Sequence, residues 1–182
     1  MADLSRDIEL VPAARVHPQL LYRYWHDMIE ADTLKYRLCD TEDPGWEDVK
    51  SMIANNTPSF NVYDKSRMSL TADFMFANFS GRAAQIHMSM HPGNDTRYSL
   101  ELARTVTDHI LEKWKRNDGG NYLDSIVGLT PATNRAACIF VQKVGFRKVA
   151  VIPSGIEDRG RIVDAMMTIK TRGEIIDGRK RW

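Results

Sequence analysis

The chain is most easily bounded by what it has little of. Of its 182 residues only two are cysteine, Cys39 and Cys138. They lie far apart and outside any C-x-x-C pattern, which argues against a disulfide framework or a thiolate zinc site; both read as small buried hydrophobes. No apolar stretch approaches the ~20 residues that a bilayer-spanning helix needs. The N-terminus, MADLSRDIEL, is polar and carries both signs of charge, so no secretory leader is expected and the expected location is the cytoplasm. Charge of one sign is missing too. Twenty-five Lys and Arg against 24 Asp and Glu leave +1, too little for a surface built to neutralise a phosphate backbone, so nucleic acid is not expected as a partner. His87 and His91 are four apart, a chelating distance on a helix. Their segment AAQIHMSM alternates like a strand, where they would stand about 13 Å apart, and no metal is expected there.

What remains is an ordinary globular composition, 43% hydrophobic and 27% charged, at a length suited to one core. We expect a single domain over residues 1–170 and a basic tail over 171–182. No internal repeat or low-complexity tract interrupts it. The tail, TRGEIIDGRKRW, reads either as a solvated terminus or as an arm for a partner.

The period of the apolar residues predicts the elements. DIELV is a short first strand. Residues 13–30 place Val16, Leu20, Tyr24 and Met28 on one helical face with Leu21, Trp25 and Ile29 beside it, and WEDVKSMI offers Trp46, Val49 and Ile53 at helical spacing after the polar TEDPG. From Phe60 the period becomes two. FNVY is a strand, Met68, Leu70, Ala72, Phe74 and Phe76 alternate against Ser69, Thr71, Asp73 and Met75, and Ala84, Ile86, Met88 and Met90 alternate against Gln85, His87 and Ser89. A turn at SGR makes the last two a hairpin.

After HPGNDTRY a long helix carries Leu100, Ala103, Val106, Ile110 and Trp114 on its buried stripe, and NDGG ends it. LDSIVGL is a short strand. In NRAACIFVQKVGF, Thr133 is expected as N-cap, Ala136, Ala137, Phe140, Val141 and Val144 as the apolar face, and Gly145 as the left-handed stop. Strands at RKVAVI and RIVDAMMTIK follow, joined by a long loop, PSGIEDRG.

Strand, helix, helix, three strands, long helix, strand, helix, two strands: this order implies an α/β sandwich with a mixed sheet of about six to seven strands flanked by helices. In such a sheet ligands collect where helix N-termini and strand C-termini meet, here MHPGNDTRY and LTPATN.

With TPATNRAACIFVQKVGF and the closing VIPSGIEDRGRIVDAMMTIK in view, the chain resembles the GNAT superfamily of acyl-CoA N-acyltransferases. It has that family's element order over nearly its whole length, its strand-to-helix passage N-x-x-A followed by G-F, and an acidic residue after the turn into the last strand. It looks most like the divergent, often phage-encoded members. The resemblance implies acetyl-CoA as co-substrate, lying where the fourth and fifth strands splay apart. The backbone of Met88, Met90 and His91 would pair with pantetheine, Asn134 would bond its arm, and Ala137 would line the same passage.

Two departures accompany the resemblance. The family's pyrophosphate loop, Q/R-x-x-G-x-G/A, should fall in HPGNDTRYSL, yet Gly93 is the one glycine there and Tyr98 stands near an expected glycine. Gly93, Asn94, Arg97 and Tyr98 are the residues that would meet the pyrophosphate; Arg97 either pairs with phosphate or is simply a solvated first-turn arginine. Seven residues after Asn134, where many members carry a tyrosine that protonates the departing thiolate, stands Val141, which has no proton to give. For the base, His87 is the candidate, since imidazole titrates near neutrality, against its reading as a structural histidine; Asp73, on the neighbouring strand, would orient it or act through water.

Two functions follow. One is an N-acetyltransferase moving an acetyl group to a small-molecule or protein amine by direct attack. The other is a catalytically degenerate GNAT-fold binding or assembly protein. No membrane partner is expected, and a homodimer is compatible with either.

Overall fold

The computed structural model describes residues 7–34, 45–54 and 58–179. Cys39, most of the TEDPG connection, the side chain of Ile53 and the last three residues of the tail lie outside the described residues. Among those described there are seven strands, β1 (Ile8–Pro12), β2 (Ser59–Asp64), β3 (Ser69–Ser80), β4 (Ala83–Met90), β5 (Ser125–Pro131), β6 (Arg147–Asp158) and β7 (Arg161–Thr171), and five α-helices, α1 (Pro18–Glu30), α2 (Trp46–Ala54), α3 (Thr96–Lys113), α4 (Arg135–Val144) and α5 (Arg172–Arg179). The strands form one sheet in the order β1-β2-β3-β4-β5-β7-β6. This is the expected mixed α/β architecture.

The chain makes two compact units, the first from Met1–Ala77, His87–Ser99 and Glu157–Arg161, the second from Asn78–Ile86, Leu100–Ile156 and Ile162–Trp182.

In the first unit β1 pairs antiparallel with β2, and β2 with β3, with a register shift between Val62 and Tyr63. Helix α1 starts later than its apolar stripe suggests. Pro18 takes the first helical position, where its missing N–H costs nothing, and Nδ1 of His17 accepts from the Gln19 N–H at 3.3 Å; Ala13–Arg15 form a separate 3-10 turn. The helix buries Tyr24, Trp25 and Met28 with Leu34, Val49 and Leu70, and Tyr63 packs against this core.

Two expectations for the strands need correcting. In β3 the set containing Thr71 and Asp73 is not a wet face: each is 2% exposed, because both faces of this strand are covered. In β4, Ala84 and Ile86 are buried as expected, but Ser89 is buried in place of Met88 and Met90, which are half-buried with His87. The buried set thus changes between Ile86 and Ser89.

In the second unit β4 pairs in parallel with β5 over three residue pairs, Ala83↔Ser125, Ala84↔Ile126 and Gln85↔Val127, while β5 pairs antiparallel with β7 along its whole length, Ser125↔Thr171 to Pro131↔Ala165. Gly128 is needed in that ladder, since a Cβ there would come within 2.8 Å of the Thr168 hydroxyl. Helix α4 is capped by Asn134, not Thr133, and ends at Gly145 with φ 107°, followed by the Phe146 N–H bonding the Val141 carbonyl at 3.1 Å. Val141 and Val144 are its buried residues; Ala136 is exposed. Cys138 is only half-buried; its thiol, pushed up by burial, reaches the Pro131 carbonyl at 3.6 Å.

The long loop expected at PSGIEDRG is also corrected. Strand β6 runs on to Asp158, and Arg159 and Gly160 alone turn the chain, with φ 54° and 71°. The tail is helical over its described residues from 172 to 179. Thr171 Oγ1 accepts from the Glu174 N–H at 3.2 Å and Glu174 Oε2 accepts from the Thr171 N–H at 3.0 Å, a capping box that starts α5.

Lys170, near the end of β7, is 4% exposed. Its ammonium sits 2.6 Å from the Asp108 carboxylate on α3 and donates to Thr107 Oγ1 at 2.8 Å and to the Val144 carbonyl, at the end of α4, at 3.2 Å. Burial holds its pKa below the ordinary lysine value, against the pull of Asp108. Lys170→Ala removes the charged donor of three contacts while Asp108, 28% exposed, stays partly hydrated, so it should cost about 1.5–3 kcal/mol in urea unfolding at pH 7. Lys170→Met with Asp108→Leu should recover most of that loss.

Candidate active site

The loop between β4 and α3 is built from side chains answering backbone. At the close of β4 the His91 N–H bonds the Thr71 carbonyl on β3 at 2.9 Å. The Gly93 N–H donates to His91 Nδ1 at 3.0 Å, and Nε2 lies 3.0 Å from Asp27 Oδ2 on α1. A backbone N–H can only donate, so Nδ1 must accept; in the neutral ring the proton is therefore on Nε2, directed at Asp27. Both ring nitrogens are committed.

Asn94 donates through Nδ2 to the Thr71 carbonyl at 2.8 Å and accepts from Arg67 at 3.0 Å. Asp95 Oδ1 accepts from the Tyr98 N–H at 2.8 Å, which makes it the side-chain cap of α3 and sets a carboxylate at that helix N-terminus. Tyr98 is not aimed at solvent: its hydroxyl donates to Asp64 Oδ2 at 2.6 Å, and the Arg67 guanidinium lies 4.0 Å from its ring centre.

Asp64 anchors this arrangement. It is 2% exposed at the end of β2 and also accepts from the Ser66 N–H at 2.9 Å, the Ser66 hydroxyl at 2.6 Å and the Arg67 N–H at 3.1 Å. Burial alone would raise its pKa; the donors of Ser66, Tyr98 and Arg67 outweigh burial and leave it below the ordinary aspartate value. Burial and the bond to Asp64 push Tyr98 up to about 12.

Of the residues singled out in the sequence, the first unit thus gathers His91, Gly93, Asn94 and Tyr98 around Thr71, Asp64 and Arg67, while Arg97 is exposed in the first turn of α3. His87 is half-buried on β4 and Asp73 buried on β3. In the second unit Asn134 Oδ1 accepts from the Ala137 N–H at 3.1 Å; this cap occupies its oxygen, and Nδ2 has no hydrogen-bond partner among the described residues. Val141 is 6% exposed, a core residue of α4.

Asp27, Asp64, Arg67 and Thr71 were not singled out by the sequence: the contacts Asp27–His91, Asp64–Tyr98, Arg67–Asn94 and Thr71–Asn94 join residues distant along the chain, whereas the bonds of Asp64 to Ser66 and Arg67 are local, a turn signal in D-x-S-R that could have been read. On α1, His26, Asp27 and Glu30 also bring potential ligand atoms within 4.8 Å of one another, and the His26–Glu30 contact is 3.6 Å.

Several solved structures share this architecture. An acetyltransferase of the GNAT family from Bacillus anthracis superposes with a TM-score of 0.72 at 15% identity, covering 92% of this chain and 96% of that one. A spermidine N-acetyltransferase from Vibrio cholerae, in complex with CoA and spermine, gives 0.68 at 14% identity over 94% and 99%. A ribosomal-protein-S5-alanine acetyltransferase from Vibrio fischeri gives 0.65 at 12% identity over 91% and 92%. No family model and no curated protein sequence matches the chain. The fold is the GNAT fold.

The Asp64 cluster has a measurable signature. Asp64→Asn removes the charge that four donors answer and should cost about 2–3 kcal/mol at pH 7. Because the folded-state pKa of Asp64 is depressed, its contribution is complete above 3.8 and is lost as pH falls through the folded value. The stability gap between wild type and variant, read from urea midpoints, should therefore close below pH 3.8.

Proposed function

We propose that this chain is an acyl-CoA-dependent N-acyltransferase, with acetyl-CoA as donor and an amine as acceptor. The observation that carries the reading is the short β4–β5 ladder in a GNAT fold. Only three residue pairs join the strands, so the β4 backbone from Ile86 to Met90 lies outside that ladder. A strand edge without a neighbouring ladder is what pairs with a pantetheine arm; on this stretch the Ser89 carbonyl already accepts from the Tyr24 hydroxyl at 3.2 Å. The Met88 and Met90 backbone would make these bonds and polarise the thioester carbonyl as the amine attacks it. The Asn134 Nδ2 donor, next to Ala137 at the start of α4, is the proposed amide contact to the cofactor.

The incoming amine must lose a proton. His87 is the proposed acceptor of that proton, with Asp73 acting through water. The departing thiolate takes its proton from water, since Val141 has none. No covalent enzyme intermediate is required.

A second reading, a GNAT-fold protein that binds without transferring, has its own support. Val141 is buried in α4, Asp95 places a carboxylate on the α3 N-terminus, and Tyr98 and Asn94 are engaged by Asp64, Arg67 and Thr71. A phosphate arriving at Gly93–Tyr98 would have to compete with those contacts.

Acetyl-CoA at a hundred times its dissociation constant should stabilise the protein by about 2.7 kcal/mol in thermal melts. Asn134→Asp keeps the cap and should melt within about 0.5 kcal/mol of wild type, yet it should weaken CoA binding at least tenfold, since it lacks the amide donor. Absence of any acetyl-CoA stabilisation in wild type would end the transferase reading. With an amine panel and detection of released CoA thiol, His87→Gln should lower kcat about a hundredfold with CoA affinity unchanged. An unaltered rate would remove His87 from the mechanism and leave the fold-level proposal standing.

A further inference from the structure

The face of β2 and β3 covered by α1 contains polar atoms that the surrounding protein does not answer. Asn61 is 0% exposed, and neither its Oδ1 nor its Nδ2 has a hydrogen-bond partner among the described residues. The same is true of Nε1 of Trp25, on α1, at 1% exposure. By strand alternation Asn61 shares the face of Tyr63, which packs against the α1 core, and Asp73, 2% exposed, is its partner in the β2–β3 register. Directly opposite residues of an antiparallel pair place their Cβ atoms about 5 Å apart. A buried amide with neither atom bonded is rare in folded proteins, because water gives up its bonds to it and gets nothing in exchange.

The donor and acceptor inventory narrows what could answer it. Asn61 Nδ2 needs an acceptor and Asn61 Oδ1 needs a donor. A metal cation or an ammonium group cannot accept. An inorganic anion cannot donate, and it would stand beside the Asp73 carboxylate. A species that does both, and is small enough to fit beneath a packed helix, is water.

We propose that Asn61 anchors a buried water site beneath α1, with the water accepting from Asn61 Nδ2 and donating to Asn61 Oδ1 or the Asp73 carboxylate. Two to four such bonds are what a buried water makes. The site does not depend on acyl transfer.

Two measurements test it. A high-resolution crystal structure of the full chain should show an ordered water within hydrogen-bond distance of the Asn61 side chain; an Asn61 amide bonded only to protein, with no water in reach, would overturn the proposal. Asn61→Leu, similar in volume and apolar, should expel the water, so that the crystal structure of the variant lacks the water seen in wild type. A water in the same place in the leucine variant would mean that Asn61 does not anchor it and would overturn the proposal. Should that variant fail to fold, Asn61→Ser, which keeps a hydroxyl and leaves room for water, should fold and retain the water in its crystal structure; a dry serine variant would count against the site.

Discussion

A buried carboxylate must have its charge answered, and much of the first unit is arranged around answering one. Asp64 terminates β2 and draws in the turn at Ser66 and Arg67 and the first turn of α3 through Tyr98. Arg67, held by that turn, stacks on Tyr98 and bonds Asn94, and Asn94 in turn reaches the Thr71 carbonyl of β3. The loop from His91 to Tyr98 is therefore shaped from inside the protein. In a loop built to receive a pyrophosphate, glycines would leave the backbone amides open to the ligand. Here Asp95 takes the Tyr98 amide and His91 takes that of Gly93.

This is the tension in the functional reading. The fold and the three-pair β4–β5 ladder favour a cofactor-binding strand. The loop and Val141 have been given over to internal packing. An enzyme with these features would lean on thioester positioning and on the intrinsic ease with which a thiolate departs, and less on gripping the nucleotide end of the cofactor or on a dedicated proton donor.

How much of this was legible follows the reach of each interaction along the chain. The α4 helix and its stop at Gly145 and Phe146 could be read because such a helix is written within a dozen residues, although its cap lies at Asn134 and not, as expected, at Thr133. That β3 and β5 are strands was legible for the same reason. The burial of Asp73 was not, since it depends on what covers the strand. The change of buried set near His87 also left no local mark. The capping box Thr171–Glu174 was present as T-x-x-E and passed over because the segment is polar and contains glycine. Lys170 could have been found by extending the β7 alternation two residues past Thr168, from a residue set that already held Met166.

That lysine has a consequence for how the second unit comes together. Its bonds reach Thr107 across 63 positions and Val144 across 26, so one ammonium ties the last strand to two helices synthesised well before it. Contacts of such separation form late, after the intervening chain has lost its freedom, and they give nothing until every partner has arrived. Until β7 is in place, Asp108 and the Val144 carbonyl of α4 are without this cation, so their partnering reports directly on whether the last strand has docked.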